Sequence, residues 1–164
     1  MNLYRLLYVN KLNPKLVSRE RLIEKLINAK EFNVAELNEI RSYRGMDALE
    51  DSKVLDVRSL TRKAFSAKDL ATKLRSLMRI KGVGIILATE ILAFQNPYKY
   101  AAISHRVWNT LVADFGFNAE EKELGKDFGQ KEYELYVSHI SNLADGYGMK
   151  PADAEFVLNN IYGK

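Results

Sequence analysis

Residues 79–84 place two glycines and two basic side chains in one short segment, Arg79-Ile80-Lys81-Gly82-Val83-Gly84. Apolar residues recur at helical spacing before and after this segment, which predicts two helices joined by a tight turn. Glycine adopts positive φ and allows close approach, so the pair favours a bare corner with Val83 tucked inward. The amides of Val83, Gly84 and Ile85 would then open the second helix without intrahelical acceptors, and such amides bind phosphate.

Positive charge is concentrated around the same segment. The whole chain carries a formal net charge of +4. Residues 53–106 hold eleven Lys or Arg against three acidic residues, a net +8, whereas residues 107–164 carry −5 and residues 1–52 carry +1. This distribution is typical of a protein that binds a nucleic-acid backbone. The alternative interpretation is that the basic residues only solvate helix faces.

The turn and the residues after it resemble the helix-hairpin-helix DNA glycosylase superfamily, in particular its small uncharacterised prokaryotic members. The residues that carry the resemblance are the Lys-Gly-Val-Gly turn, Pro97, Tyr98, Ile103, Arg106 and Trp108. The likeness extends over about Leu70 to Leu111 and more weakly to the C-terminus, while the first fifty residues match little. It implies a helix-hairpin-helix motif at about 70–94 that grips double-stranded DNA, through Arg79, Lys81, Gly82, Val83, Gly84, Lys99 and Arg106.

The two residues that the superfamily uses for catalysis are missing at the matching positions. Superfamily members carry an Asp twenty residues past the last hairpin glycine, and bifunctional members add a Lys two residues past it. Here these positions hold Ser104 and Ile86. A carboxylate stabilises the positive charge of the departing sugar, and a lysine forms a Schiff base; serine and isoleucine do neither. We therefore expect the superfamily's base-excision chemistry to be lost or relocated.

Three residues are considered as replacements for the missing catalytic groups. Ser104 matches a helix N-cap, and we favour this role over a catalytic one. His105 is a general-base candidate near neutral pH, but one helical residue turns it about 100° from the Ser104 position. Glu90 supplies a carboxylate from the second helix of the motif. Trp108 falls on an apolar stripe, which favours core packing over base stacking.

The side chains predict no metal site and no organic cofactor. The chain has no cysteine and only two histidines, and we interpret the acidic residues near 120–127 as a solvated surface. The resemblance allows one ion, a monovalent cation held by backbone carbonyls of the hairpin. The lack of cysteine also suits a reducing cytoplasm, and neither a signal peptide nor an apolar run of membrane-spanning length is evident.

The 164 residues are long enough for one domain with a substantial core. Helical periodicity recurs and alternation of period two does not, so we predict an all-α, single-domain bundle of about eight to ten helices over 1–164. At the level of single elements, we expect a short arm interrupted by Pro14 and a helix that Ser18 begins. A second N-cap is expected at Ser66, and a helix break at Gly146.

Three functions are consistent with these observations. The first is a DNA-binding protein, associated with DNA repair, on a glycosylase-like scaffold that lacks the superfamily's catalysis. The second is an active glycosylase or lyase that uses an atypical catalytic residue. The third is a protein-interaction module in which the hairpin is purely structural. Salt-dependent DNA binding separates the first two from the third, and base release separates the second from the first.

Overall fold

The computed structural model describes residues 2–50 and 56–163, and every regular element within them is an α-helix. These ranges contain nine helices: α1 (Leu3–Val9), α2 (Pro14–Leu26), α3 (Val34–Tyr43), α4 (Val57–Ser66), α5 (Leu70–Met78), α6 (Ile85–Gln95), α7 (His105–Asp114), α8 (Gln130–Tyr147) and α9 (Pro151–Asn160). The predicted all-α bundle is therefore confirmed. None of these helices combines the length and apolar character that crossing a membrane requires.

Helix α6 lies at the centre of the bundle. Every residue from Leu87 to Phe94 is buried, as is Ile85, and only Ile86 and Gln95 retain partial exposure. A helix that is apolar on nearly all sides is expected to be surrounded by other elements. Accordingly, α6 packs against α2, α3 and α5, while the equally buried α9 packs against α1, α7 and α8.

Local capping explains where several helices begin. Asn33 opens α3 with a complete capping box to Glu36. Ser104 opens α7, where its hydroxyl accepts from the Val107 amide at 3.2 Å. The cap predicted for this serine is thus confirmed, and it matters for the function considered below.

Three predicted boundaries are wrong for identifiable reasons. Pro14 does not interrupt an arm but starts α2, because a proline at the first position loses no intrahelical hydrogen bond and Asn13 caps the Lys15 amide. Ser18, predicted to begin this helix, therefore lies inside it. Ser66 is the last residue of α4, and Asp69 caps α5 instead. Helix α8 continues through Gly146 to Tyr147. The sequence also predicts that Val54 and Leu55 contribute apolar residues, and Lys53 a basic residue, to the helix that contains Val57, but these three lie outside the described residues.

Helices α4 and α5 are joined by a buried lysine. Lys73 Nζ donates to the carbonyls of Ala64 at 3.0 Å and Phe65 at 3.2 Å, near the last turn of α4. Cationic groups stabilise such helix C-termini. Burial lowers the pKa of Lys73, and the nearby charge of Lys99 lowers it further. Lys99 therefore lies close to the beginning of α5, at the end of the α5–α6 pair that is remote from the connecting turn.

Candidate nucleic-acid interface

The connection between α5 and α6 is a tight turn with an apolar interior. The Val83 amide donates to the Ile80 carbonyl at 3.0 Å, and both of these side chains are buried. Arg79 and Lys81 are exposed on the outside of the turn. The predicted turn with Val83 directed inward is confirmed, and two cationic side chains lie beside the start of α6.

Only some of the amides predicted to be free at the start of α6 are free. The Val83 amide is used within the turn, so the prediction for it was wrong. The amides of Gly84, the N-cap, and Ile85 meet no acceptor within residues 2–50 and 56–163. Two N–H groups and the positive end of the helix dipole thus remain available to an anion.

The two glycines of the turn have different structural roles. Gly82 has φ +80°, a left-handed conformation that favours glycine, and a Cβ there would lie 3.3 Å from Leu49 Cδ2. Gly84 has φ −93° in an extended conformation, and a Cβ there would meet nothing within 4 Å. The fold therefore requires glycine at 82 but not at 84. A remaining reason for glycine at 84 is close approach by a ligand.

An arginine from α3 holds the turn from behind. Arg41 Nη1 donates to the Gly82 carbonyl at 3.0 Å, and Arg41 Nε donates to the Asp47 carbonyl at 2.7 Å. Arg41 is buried although it carries a permanent charge. Sequence reasoning missed this residue because it lies in a segment that matches no family pattern and contacts a glycine forty-one positions away.

The structure does not bring all predicted DNA-contacting residues together. Arg79, Lys81, Gly82, Val83 and Gly84 form one contiguous turn. Lys99 follows the far end of α6, which is about 15 Å long. Arg106 lies on the first turn of α7, where its Nη2 donates to the Tyr162 carbonyl at 3.1 Å and so fastens the C-terminal segment. The turn is accordingly the only compact part of the predicted set.

An open cavity of about 450 Å³ borders the turn. This smaller cavity lies between α5 and the start of α8, with Arg75, Arg79, Ile85 and Phe128 among its lining residues. Met78 also lines it and is 46% exposed. Two arginines thus line a cavity that also contains apolar side chains and Ile85, the first residue of α6.

Ile86 and Ser104, the two positions that the family resemblance singles out, are linked through one side chain of α6. Thr89 Oγ1 contacts the Ile86 carbonyl at 2.9 Å and accepts from the Ile103 amide at 3.0 Å. This hydroxyl links the turn of α6 that carries Ile86 to the residue before Ser104. The Ser104 hydroxyl is engaged as the α7 cap, and His105 Nε2 contacts the Lys126 carbonyl at 2.7 Å.

Glu90, the third catalytic candidate, belongs to a buried carboxyl cluster that also contains Glu155, Arg44, Arg19 and Tyr43. Glu90 Oε2 accepts from Arg44 Nη1 at 2.5 Å, and Glu90 is 7% exposed. Burial, and secondly the Glu90 carboxylate, raise the pKa of Glu155 from 4.5 to about 8. Burial and the same two carboxyl groups also raise the pKa of Tyr43. Sequence reasoning singled out Glu90 but missed Glu155.

Arg19 in this cluster has an incomplete set of partners. Its Nη1 pairs with Glu20 at 2.8 Å and with Asp153 at 3.0 Å, and its guanidinium lies over the Phe156 ring. Its buried Nη2 meets no hydrogen-bond partner among the described residues. Among the Arg19 guanidinium nitrogens, Nη1 therefore makes the ion pair that links α2 to α9.

The remaining candidates are structural or exposed. Trp108 is buried, stacks edge-on against Phe117 and donates from Nε1 to the Glu120 carbonyl at 2.8 Å, which confirms core packing. Tyr100 is buried, whereas Tyr98 is 66% exposed beneath Lys150. Within the described ranges, no three acidic or histidine side chains are grouped so that they could hold a metal ion.

Over residues 2–50 and 56–163 the protein is all-helical, and one of its interhelical turns, between α5 and α6, carries the exposed cationic residues Arg79 and Lys81. No protein-family model, curated protein or solved structure matches the chain. The family resemblance therefore rests on the residues of the segment from Leu70 to Leu111 alone.

The two glycines are expected to respond differently to the same substitution. Gly82→Ala should lower the free energy of unfolding by about 1–3 kcal/mol, because alanine is strained at positive φ and its Cβ would press on Leu49. Gly84→Ala should leave that free energy unchanged or raise it by less than about 1 kcal/mol. Chemical denaturation measures both. Equal losses in the two variants would contradict the assignment of the strained position to Gly82.

Glu155 is expected to make stability depend on pH. Because the folded state retains its proton between pH 4.5 and about 8 whereas the unfolded chain does not, the free energy of unfolding falls as pH rises through that window. Within the window, Glu155 lowers the free energy of unfolding by up to about 1.4 kcal/mol for each pH unit. In Glu155→Gln this slope should disappear, and the variant should be more stable than the wild type above pH 8.

Denaturation across this pH range measures the effect. Glu24→Gln is the matched control, since Glu24 is an exposed carboxylate on α2. The cluster that faces Glu155 contains Glu90 on α6, Arg19 and Lys15 on α2 and Arg44 at the C-cap of α3, with Tyr136 on α8. Parallel pH profiles for the wild type and Glu155→Gln would show that Glu155 does not retain its proton in the folded state.

Proposed function

We propose that the protein binds the phosphate backbone of double-stranded DNA through the α5–α6 turn, as a helix-hairpin-helix element does, and that it lacks the glycosylase superfamily's catalysis. The observation that carries the proposal is the presence of two free amides, of Gly84 and Ile85, at a helix start flanked by exposed Arg79 and Lys81. Backbone amides and cations together favour phosphate without reading bases.

The charge distribution supports nucleic acid over other anionic partners. Residues 53–106 carry a net +8 in the sequence, whereas residues 107–164 carry −5. One of these cations, Arg62, is paired with Glu31, while Arg75, Arg79 and Lys81 are exposed at or near the turn. A long polyanion can use the turn and the surrounding cations at the same time, whereas a single small anion can use only a few of them. The family resemblance is the only support for a role in DNA repair, and that role is part of the proposal.

Lys81→Ala should weaken DNA binding to a similar extent for different DNA sequences, because a phosphate contact carries no base information. The slope of log affinity against log salt concentration should become shallower by about one unit. Fluorescence anisotropy with labelled duplexes at several salt concentrations measures both quantities. Gly84→Ala should also weaken binding, since its Cβ would stand between the amides and a phosphate.

Lys30→Ala is the matched control, because it removes the same charge from an exposed position. Lys30 lies beside Asn28, whose amide donates to the carbonyl of Gln95 at the far end of α6. The control should bind as the wild type does apart from a small general charge effect. If Lys81→Ala and Lys30→Ala had the same affinity and salt slope, the turn would not be the DNA-binding element.

The absence of the superfamily's catalysis has its own test. The wild type should bind duplexes that carry damaged or mismatched bases yet release no base in single-turnover assays, because Ser104 caps α7 and Ile86 has no reactive group. Loss of a carboxylate of this kind costs on the order of a hundredfold or more in rate. Ser104→Asp should keep the fold, since aspartate also caps helices. Base release by the wild type that Ser104→Ala abolishes would contradict the proposal.

A further inference from the structure

A cationic side chain of the protein, the Arg41 guanidinium of α3, contacts the α5–α6 turn. Arg41 is 8% exposed, and its Nη1 lies 3.0 Å from the Gly82 carbonyl oxygen. The second contact, from Nε to the Asp47 carbonyl, fixes the plane of the guanidinium. A Cβ at Gly82 would lie 3.5 Å from the same Nη1 atom, so the guanidinium is packed against the turn.

The family resemblance implies a monovalent cation held by hairpin carbonyls, and the carbonyls of Ile80 and Gly82 do not fit that role. The Gly82 carbonyl already accepts from a guanidinium, and the Ile80 carbonyl accepts from the Val83 amide. A second positive charge at this turn would lie within a few ångströms of the permanent charge of Arg41, and like charges repel at that range. The carbonyls of Ile80 and Gly82 therefore do not present an open set of oxygen ligands.

We propose that the Arg41 guanidinium takes the place of a bound monovalent cation at the α5–α6 turn and positions the Gly84 and Ile85 amides for phosphate. This inference rests on the proposed function. Arginine suits the role because its donors form a rigid fork and it stays charged at every physiological pH. Since the guanidinium is covalently attached to α3, the turn keeps its shape whatever cation the solution contains.

The first experiment uses the wild type and needs no substitution. Duplex DNA affinity is measured in potassium chloride, in sodium chloride and in tetramethylammonium chloride at the same ionic strength. Tetramethylammonium screens phosphates but is too large to enter a carbonyl cage. The affinities in the three salts should agree within about twofold, which is smaller than the effect of losing one hydrogen bond to a charged group.

Two outcomes of that experiment would overturn the inference, and they can be told apart. Binding that is at least about tenfold tighter in potassium chloride than in tetramethylammonium chloride would show that the turn needs an alkali cation. The proposed DNA-binding function would survive that result. The lack of binding in all three salts would overturn the proposed function and this inference with it.

The second experiment tests Arg41 as a positioning residue. Arg41→Ala should bind DNA about tenfold or more weakly, and millimolar methylguanidinium chloride should restore much of the loss at constant ionic strength. Lys81→Ala is the matched control, because it should also bind weakly but has no guanidinium-shaped vacancy to fill. Circular dichroism establishes that each variant retains its helices.

The outcomes of the second experiment are equally distinct. Recovery in Arg41→Ala but not in Lys81→Ala supports the inference, since general destabilisation would not respond to a guanidinium ion. A folded Arg41→Ala variant with wild-type affinity would overturn it, as would weak binding that methylguanidinium leaves unchanged. If Arg41→Ala does not fold, the comparison of salts with the wild type decides the question alone.

Discussion

The burial of α6 on nearly every side is the constraint on which the rest of the fold depends. A central helix can carry polar side chains only if the surrounding elements supply their partners. Thr89 contacts the carbonyl of Ile86 and accepts from Ile103, and Glu90 is paired with Arg44. Leaving a buried carboxylate unpaired costs several kcal/mol, so these two side chains specify how α3 and the segment before α7 pack against α6.

The same constraint determines where the protein can present a site. The buried helix reaches the surface at its ends, and its first turn carries the free amides of Gly84 and Ile85. Arg41 of α3 supports that end through the Gly82 carbonyl, and Arg44, the C-cap residue of α3, pairs with Glu90 in the middle of α6. Two arginines one turn apart therefore connect the candidate phosphate-binding surface with the buried carboxyl cluster. A site supported by packed helices is held more rigidly than one on a free loop.

Local signals explain what the sequence predicts well, and long-range contacts explain what it does not. The two glycines around Val83 and the cap of Ser104 act within four residues, and the structure follows both predictions. Pro14 and Ser66 were misassigned because neighbouring Asn13 and Asp69 cap more effectively. The contacts of Arg41 with Gly82 and the approach of α9 to Glu90 depend on the assembled bundle, and no short pattern encodes them. DNA binding stays a prediction.

Trp108, the sole tryptophan, gives the protein an intrinsic optical probe. Its indole is 3% exposed, and its N–H is bonded to the carbonyl of Glu120. The Phe128 ring lies 5.3 Å from the Trp108 ring and also lines the cavity beside the start of α6. The fluorescence emission of Trp108 therefore reports how residues 118–129 pack on α7. Through its contact with Phe128, Trp108 is one aromatic ring away from the cavity beside the α5–α6 turn.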